Sequence, residues 1–306
     1  MVPDSHIGTL HPRPPYAFAS LLDFLSRYAY PTMDHVHAGS YRRVLSVGQG
    51  RALVEVVSRG TVDSPELDVY LLTQHGNVDR VALLDQLAQV LAIDEDRAAF
   101  FDKTVSHPTL RRVVEPVYSL PVLRSPNLFE ALVDVIIEQQ ITWTSAQRAQ
   151  QWLVGWGGQP LIYEGQTYAA YPTPAVIASA TIDDLKPLKI TFKRMQLLID
   201  IAGQVVTGAL DLDALAHLPD EERYRSLLAI KGIGHWTGSV ALGRAFGHSG
   251  FIADNDVALQ AAVNYYFYGQ EGRTSQQTVM DTFAPLNEHA GQAAFYTLAR
   301  WVLDRY

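Results

Sequence analysis

The residue types best suited to chemistry lie in a glycine turn and in an acidic stretch that follows it. Gly232 and Gly234 form a Gly-x-Gly turn between two segments of helical pattern. Such a turn opens a helix with its backbone N–H groups pointing outward, which suits a phosphate. Asp256 stands 20 residues after Trp236, directly before another helical pattern. Together these features predict a protein that grips a DNA backbone and does chemistry on a nucleotide.

Each of these residues also has a plain structural interpretation. Glycines end many helices, aspartate is a favoured helix N-cap, and tryptophan is most often packed in a core. Both interpretations of Asp256 can hold at once, because a capping carboxylate is held in a fixed position. For Trp236 the functional alternative is stacking or cation–π attraction with an extruded, electron-poor base. The same choice between core and pocket applies to four more aromatic residues: Trp143, Phe295, Tyr296 and Trp301.

Two glutamines follow the apolar stripe of a predicted helix near residue 128. Gln139 and Gln140 stand where that stripe stops. One interpretation is a solvated helix end. The other is a polar probe that enters a duplex and fills the gap left by a flipped nucleotide.

Length and composition limit the number of domains and the class of protein. The chain has 306 residues, enough for two or three domains, and 48% are hydrophobic, as in ordinary globular proteins. The net charge of −8 argues against a general nucleic-acid coat, although a local basic patch can still bind DNA. Two such clusters occur: one of Lys186, Lys189, Lys193 and Arg194, and one of Lys231, His235, Arg244 and His248.

No segment suits a bilayer and none resembles a secretory signal, so we expect a cytoplasmic, nucleoid-associated protein. The absence of cysteine excludes disulfides and a cysteine-held iron–sulfur cluster.

The elements that must position these residues fall into two parts. Alternating patterns predict strands at 44–47, 52–57 and 67–71, and spacing of three to four residues predicts a helix around 81–91. Strand signals vanish after about residue 100 and helical patterns take over. We therefore predict an antiparallel α+β domain over 1–104 and an all-α domain over 105–306, with the hairpin at 226–247.

The motifs then match a known family. The run Leu128–Ile141, the hairpin Gly232–Thr237 and the segment Asp256–Leu259 resemble the helix-hairpin-helix DNA glycosylases, in particular the AlkA-like 3-methyladenine DNA glycosylase II branch. The resemblance is strong over 105–263 and fainter over 40–100. It implies a repair enzyme that flips an alkylated purine out of double-stranded DNA and hydrolyses its N-glycosidic bond, and we expect a monomer.

The resemblance also implies roles for individual residues. Asp256 matches the catalytic acid, which stabilises an oxocarbenium-like sugar and positions or deprotonates water. Trp236 stands where bifunctional members carry the Schiff-base lysine, so no lyase activity is expected. The expected substrate pocket comprises Trp236, Gln139, Trp143, Val240 and Tyr296. The expected DNA-binding residues are Gly232, Gly234, His235, Thr237 and Gln140. The expected ligands of a monovalent sodium or potassium ion are the backbone carbonyls of Leu228, Ile230 and Ile233.

The sequence departs from the family pattern at three positions. Glu138 replaces the glycine that usually precedes Gln-Gln, Val240 stands where some members have a pocket tyrosine, and Ala299 lies near a pocket tryptophan. These departures concern the range of substrates more than the reaction. Two alternatives stay open: a non-enzymatic helix-hairpin-helix protein that binds damaged DNA, and a glycosylase for a deaminated base such as hypoxanthine or uracil. Such neutral bases leave poorly and require hydrogen bonds to the leaving group.

Overall fold

The N-terminal part is an antiparallel five-stranded sheet with two helices. A computed structural model describes residues 5–27, 33–247 and 251–305. The strand order is β1-β5-β4-β3-β2. The strands are β1 (His6–Leu10), β2 (His35–His37), β3 (Ser40–Val47), β4 (Gly50–Ser58) and β5 (Leu67–His75), and the helices are α1 (Phe18–Ser26) and α2 (Arg80–Val90).

The three strands and the helix predicted for this part are confirmed, and β1 and β2 are added in a stretch without clear periodicity. Strands β3 and β4 pair across the turn at Gly48, with Val44 opposite Leu53. Residues that point inward along β4, such as Val54 and Val56, are fully buried. Helix α2 begins where the Asp79 carboxylate accepts two backbone N–H groups of the first turn.

Helices make up most of the remaining chain. They are α3 (Arg97–Thr104), α4 (Pro108–Val114), α5 (Leu128–Glu138), α6 (Trp143–Gly157), α7 (Pro174–Ala178), α8 (Ile182–Leu185), α9 (Phe192–Thr207), α10 (Leu212–Ala216), α11 (Asp220–Ala229), α12 (His235–Phe246), α13 (Val257–Tyr268), α14 (Gln276–Phe283) and α15 (Ala290–Leu303). Among the described residues, none of these helices is both long and apolar enough to cross a membrane.

One hairpin corrects the all-α expectation for 105–306. Strands β6 (Gln159–Tyr163) and β7 (Gln166–Ala170) pair antiparallel around Glu164 and Gly165, both at positive φ. Two successive positive-φ residues are what a tight hairpin turn requires. Leu161, on the inner face, packs in a small cluster with residues of β3, β4 and β7. The hairpin therefore belongs spatially with the N-terminal sheet, which supplies the apolar surface that makes these short strands stable.

Two hydrophobic cores organise the molecule. One cluster joins the N-terminal sheet and its helices to α3, α4 and the C-terminal helices α13–α15. The other lies among α5–α12. The hydrophobic cores therefore do not divide at residue 104, because helices α13–α15, which follow the α11–α12 hairpin, pack into the same core as the N-terminal sheet. The motifs predicted to form the active site lie at the junction, where the chain passes from α12, in the second core, to the loop that precedes α13.

Candidate active site and nucleic-acid interface

The glycine turn connects α11 to α12, and its two glycines have different reasons to be there. Gly232 adopts φ +98°, and a Cβ atom there would lie 2.9 Å from Cδ1 of Leu197. The fold itself therefore requires glycine at this position. Gly234 caps α12 with an extended backbone, is exposed, and has open space where a Cβ atom would stand. Nothing within the chain explains a glycine at 234, whereas close approach of an external backbone or phosphate does.

Three successive residues in the first turn of α12 contact two neighbouring segments of the chain. His235 contacts Asp254 and Trp236 contacts Asp256. Thr237 contacts Gln139 at the end of α5. This single turn therefore fixes the loop that carries the acids and the turn that carries the glutamines.

Asp256 is held by three N–H donors. Its Oδ1 accepts the backbone N–H groups of Ala258 and Leu259, at 2.8 and 2.9 Å, as the N-cap of α13. Its Oδ2 accepts the indole N–H of Trp236 at 2.7 Å. The side chain is half-buried, and the helix dipole favours its negative charge. A fixed, partly accessible carboxylate of this kind can stabilise a positively charged sugar and orient a water molecule.

His235 lies in a chain of hydrogen bonds rather than free at the surface. Its Nε2 lies 2.8 Å from Oδ1 of Asp254, and its Nδ1 lies 2.6 Å from the hydroxyl of Tyr224. A carboxylate can only accept, so Nε2 carries a hydrogen; in a neutral ring, Nδ1 then accepts from the hydroxyl of Tyr224. We expected His235 to bind DNA; in the structure both of its ring nitrogens are engaged within the protein. Burial raises the pKa of Tyr224, which keeps its hydroxyl a donor.

The two glutamines have separate places. Gln139 donates from Nε2 to Oγ1 of Thr237 at 2.8 Å, so it braces the α5–α6 turn against α12. Gln140, the next residue, is exposed and adopts φ +54°. The structure corrects the prediction for Thr237, because it is only 3% exposed and has no surface for DNA. Gln140 and Gly234 are thus exposed on segments that the Gln139–Thr237 hydrogen bond joins.

A cavity of about 390 Å³ lies behind this face. Two of the expected pocket residues line it, namely Trp143 and Val240. Trp236, Gln139 and Asp256 are not on its wall, but Ala253 and Leu259, on either side of Asp256, are. The cavity is therefore lined by residues that flank the candidate catalytic acid in the chain, and its size is typical of small-molecule pockets, which span about 300–1,000 Å³.

Tyr296 is corrected from pocket to core. It is fully buried, stacks on Phe100 and donates its hydroxyl to the carbonyl of Leu120 at 2.9 Å. Its neighbour Phe295 lines the cavity instead. Adjacent residues on a helix point about 100° apart, so only one of two neighbouring aromatic residues can face the cavity. The sequence shows that the pair is present but does not show which of the two faces the core.

Sequence reasoning missed a row of acids on α5. Glu130, Asp134 and Glu138 recur every four residues, and all three line the cavity. Glu130 is paired with the buried Arg43 of β3. Glu138 binds Arg244 of α12 through two hydrogen bonds of 2.7 Å, so this departure from the family pattern is neutralised internally. The spacing of four residues was the available signal, because it puts all three carboxyls on one face of a helix.

Asp134, the middle acid, has no cation of its own among the contacts the structure describes. Its Oδ1 accepts the hydroxyl of Tyr171 at 2.8 Å. Burial raises its pKa to about 8, and the carboxylates of Glu130 and Glu138 act in the same direction. The group is therefore largely protonated at neutral pH, which is unusual for a carboxyl and typical of functional sites.

The basic residues divide between interior and surface. Arg194 is buried and donates to the carbonyl of Gln139 at the C-terminal end of α5, which is a favourable place for a cation. Lys186 pairs with Asp183 on the surface, while Lys193 and Lys231 are exposed. His248 lies outside the described residues.

The expected cation ligands lie together at the end of α11. Leu228 is in the last turn of that helix, where carbonyl groups lack intrahelical donors. The carbonyl of Ile230 accepts the N–H of Ile233 at 3.0 Å, which uses one of its two lone pairs. Neutral carbonyl oxygens in a tight turn suit an alkali cation, so the residues present fit such an ion.

Comparison with known proteins gives the class of the fold. A 3-methyladenine DNA-glycosylase from Archaeoglobus fulgidus superposes with a TM-score of 0.80 at 20% identity, over 97% of this chain and 98% of that one. An 8-oxoguanine glycosylase/lyase from Clostridium acetobutylicum, bound to DNA, superposes with a TM-score of 0.74 at 16% identity, over 98% of each chain. The fold is that of the helix-hairpin-helix DNA glycosylases.

Sequence comparison finds similarity to one group of these enzymes. Residues 8–128 match the family model of the AlkA N-terminal domain. A DNA-3-methyladenine glycosylase of Bacillus subtilis (strain 168) is 24% identical over 278 residues, which are 90% of each chain. In sequence the chain is therefore similar to the AlkA-like DNA-3-methyladenine glycosylases.

Proposed function

We propose that the protein is a monofunctional DNA glycosylase that hydrolyses the N-glycosidic bond of alkylated purines, such as 3-methyladenine and 7-methylguanine, in double-stranded DNA. The observation that carries the proposal is the position of Asp256. Three donors hold this carboxylate at the N-terminus of α13, between two residues that line the cavity, Ala253 and Leu259, and bonded to the first turn after the glycine hairpin. The names of the relatives support the same reaction.

Each part of the site has a task in this reaction. Backbone N–H groups at Gly234 bind a phosphate, and Gln140 enters the duplex in place of the flipped nucleotide. Flipping costs a few kcal/mol, and less for a damaged base, which contributes to selectivity. A purine alkylated at N3 or N7 is cationic and leaves readily. Asp256 then stabilises the sugar cation and takes a proton from the attacking water.

The absence of lyase activity follows from Trp236. A lyase reaction requires an amine that forms a Schiff base with the sugar. In this chain an indole takes that position and donates to Asp256. A glycosylase/lyase shares the fold, so the fold alone does not decide this point, and the indole at 236 is the observation that supports the proposal.

We also propose that the carbonyls of Leu228, Ile230 and Ile233 hold a sodium or potassium ion. Such an ion supplies positive charge beside the hairpin, where a phosphate would bind. The carbonyls themselves keep the turn between α11 and α12 in the shape that presents the N–H groups of Gly234 and the following residues.

One experiment tests the proposed function. Randomly methylated DNA is incubated with the protein, and the released bases are separated by chromatography. We expect free 3-methyladenine and 7-methylguanine, no strand nicking without added alkali or lyase, and a loss of release in Asp256→Asn. Tight binding to damaged duplex without any base release would instead indicate a protein that only binds DNA. Nicking by the purified protein would contradict the monofunctional assignment.

A further inference from the structure

The turn between α5 and α6 carries an exposed residue in a backbone conformation that its own residue type does not favour. Gln140 adopts φ +54°, in the left-handed region, and its side chain is exposed. Residues with a Cβ atom avoid this region, and they keep such a conformation only where the surrounding structure enforces it. The contacts that enforce it here therefore also determine how Gln140 is presented to DNA.

These contacts converge on the residues directly before Gln140. Arg194 of α9 donates to the backbone carbonyl groups of Ile137 and Gln139. The side chain of Gln139 donates to Thr237 in the first turn of α12. The end of α5 is thus bound to two other helices of the second core, and the chain can turn toward α6 in few ways.

Glu138 adds a further anchor at a position where this chain departs from the family pattern. Both of its carboxylate oxygens accept from Arg244 of α12, each at 2.7 Å, and Oε1 also accepts from Gln150 of α6 at 2.8 Å. A guanidinium bound through two N–H groups fixes orientation as well as distance. Glu138 therefore joins the end of α5 to the hairpin helix and to the helix after the turn, which the usual glycine could not do.

We propose that Glu138 and Arg244 form a positioning pair that fixes the α5–α6 turn to α12, so that Gln140 already has its inserting conformation when DNA binds. The inference rests on the proposed function and deepens it, because it concerns how the residue that fills the gap in the duplex is held. Neither member of the pair has to touch DNA for this purpose, since both act through the backbone of the turn.

A turn that is fixed beforehand favours flipping more than it favours binding of an intact duplex. A flexible segment loses conformational entropy when it becomes ordered on DNA, and a segment already held in its active shape avoids that loss. Gln140 enters the duplex only as the nucleotide leaves the stack, so the gain belongs to that step. The expected phosphate contact at Gly234 lies in another turn and does not depend on the pair.

The test is a double-mutant cycle, because the pair also lines the cavity and a variant could change how the base is held. Glu138→Gln keeps the size of the side chain and removes the charge that binds Arg244. We expect it to slow single-turnover release of 7-methylguanine about 10-fold in the wild-type chain and less than about twofold in Gln140→Ala. The reason is that the anchor has nothing to position once the Gln140 side chain is absent.

A second readout follows the flipping step itself. Stopped-flow fluorescence of 2-aminopurine placed beside the lesion should show the same dependence on Gln140, with a slower or smaller signal in Glu138→Gln. The affinity for undamaged duplex, measured by fluorescence anisotropy, should stay within about twofold of that of the wild type, because the hairpin backbone is unaltered.

Two further variants make the comparison specific. Arg244→Lys keeps the positive charge but lacks the planar fork that binds both carboxylate oxygens, so we expect a smaller loss with the same dependence on Gln140. If Glu138→Gln does not fold, which thermal unfolding reports, Arg244→Lys carries the test. Glu221→Gln is the matched control, because it makes the same change in an exposed ion pair with Arg225 on α11, and it should leave the rates unaltered.

The outcomes separate the inference from the proposed function. Equal losses from Glu138→Gln with and without the Gln140 side chain would mean that Glu138 acts in the cavity, and would overturn the positioning role while the glycosylase assignment stands. No loss in either background would also overturn it. If the wild type released no base, the proposed function would fail, and the 2-aminopurine signal would still decide whether the pair positions Gln140.

Discussion

The indole N–H of Trp236 donates to Oδ2 of Asp256 across 2.7 Å, and this contact joins the hairpin to the helix that the acid caps. The remaining oxygen of the carboxylate is bound to two backbone N–H groups. The indole is therefore the side chain that sets the rotation of the carboxylate toward the sugar.

Trp236→Phe should keep an aromatic ring and lose this hydrogen bond. A hydrogen bond to a charged group contributes about 1.5–3 kcal/mol, so we expect a roughly 10- to 100-fold lower single-turnover rate on 7-methylguanine. Binding of undamaged duplex should hardly change, because the hairpin backbone is unaffected. An unaltered rate in Trp236→Phe would show that the indole N–H does not position the acid.

The two hairpin glycines should respond differently to alanine. Gly232→Ala forces a positive φ on a side chain that also meets Leu197, so its free energy of unfolding should fall by about 1–3 kcal/mol. Gly234→Ala has open space and should be nearly as stable as the wild type, yet bind duplex DNA more weakly. The two measurements are urea unfolding and fluorescence anisotropy. Full DNA affinity in Gly234→Ala would count against the phosphate contact.

The adjacent glutamines offer a second matched pair. Gln140→Ala should slow base release but leave stability unchanged, because the side chain is exposed. Gln139→Ala removes the hydrogen bond to Thr237 and leaves a buried hydroxyl with one partner fewer, so it should cost about 1–2 kcal/mol of stability. Thermal unfolding and single-turnover rates distinguish the two. Equal losses of rate in both variants would contradict the assignment of Gln140 to the DNA duplex and of Gln139 to the contact with Thr237.

Asp134 should make the stability of the protein depend on pH. Its pKa is raised to about 8 in the folded state, so between about pH 4 and 8 the folded chain binds more protons than the unfolded chain. The contribution of Asp134 is thus present in full at acid pH and is lost as the pH rises toward 8. Urea unfolding of Asp134→Asn and wild type should show the variant gaining about 1 kcal/mol or more, relative to the wild type, between pH 5 and pH 8. A constant difference would mean that this carboxyl is ionised in the folded protein.

Much of the architecture could be predicted from local patterns, because strands β3–β5, α2 and α12 carry strong periodicity. The first residue of a helix is harder to predict: α11 begins after Pro219, which makes no side-chain capping hydrogen bond, and Asp220 lies in its first turn. The β6–β7 hairpin escaped prediction because its stability comes from a distant sheet. Its turn residues Glu164 and Gly165 were the only local sign.

The candidate site, too, could be predicted only as far as local sequence patterns reach. Asp256 could be chosen from its spacing to Trp236 and the family resemblance, but its donors could not. The burial of Thr237 and Tyr296 depends on which face of each helix packs against the core. The spacing of residues in the sequence identifies that face only when the elements packed on either side of the helix are known. The row of acids on α5 could be recognised as a sequence pattern. The raised pKa of Asp134 could not, because its largest cause is burial, which depends on the packing of distant segments against α5.

The small hairpin has a consequence for how the chain can be divided. Arg42 of β3 donates to the hydroxyl of Tyr168, and Arg51 of β4 donates to Gln159, so the second half of the chain is fastened to the first sheet. The last three helices return to that same core. Neither half is thus a self-sufficient folding unit, and a gene cut anywhere near the middle would yield two fragments that must find each other before either has a complete interior.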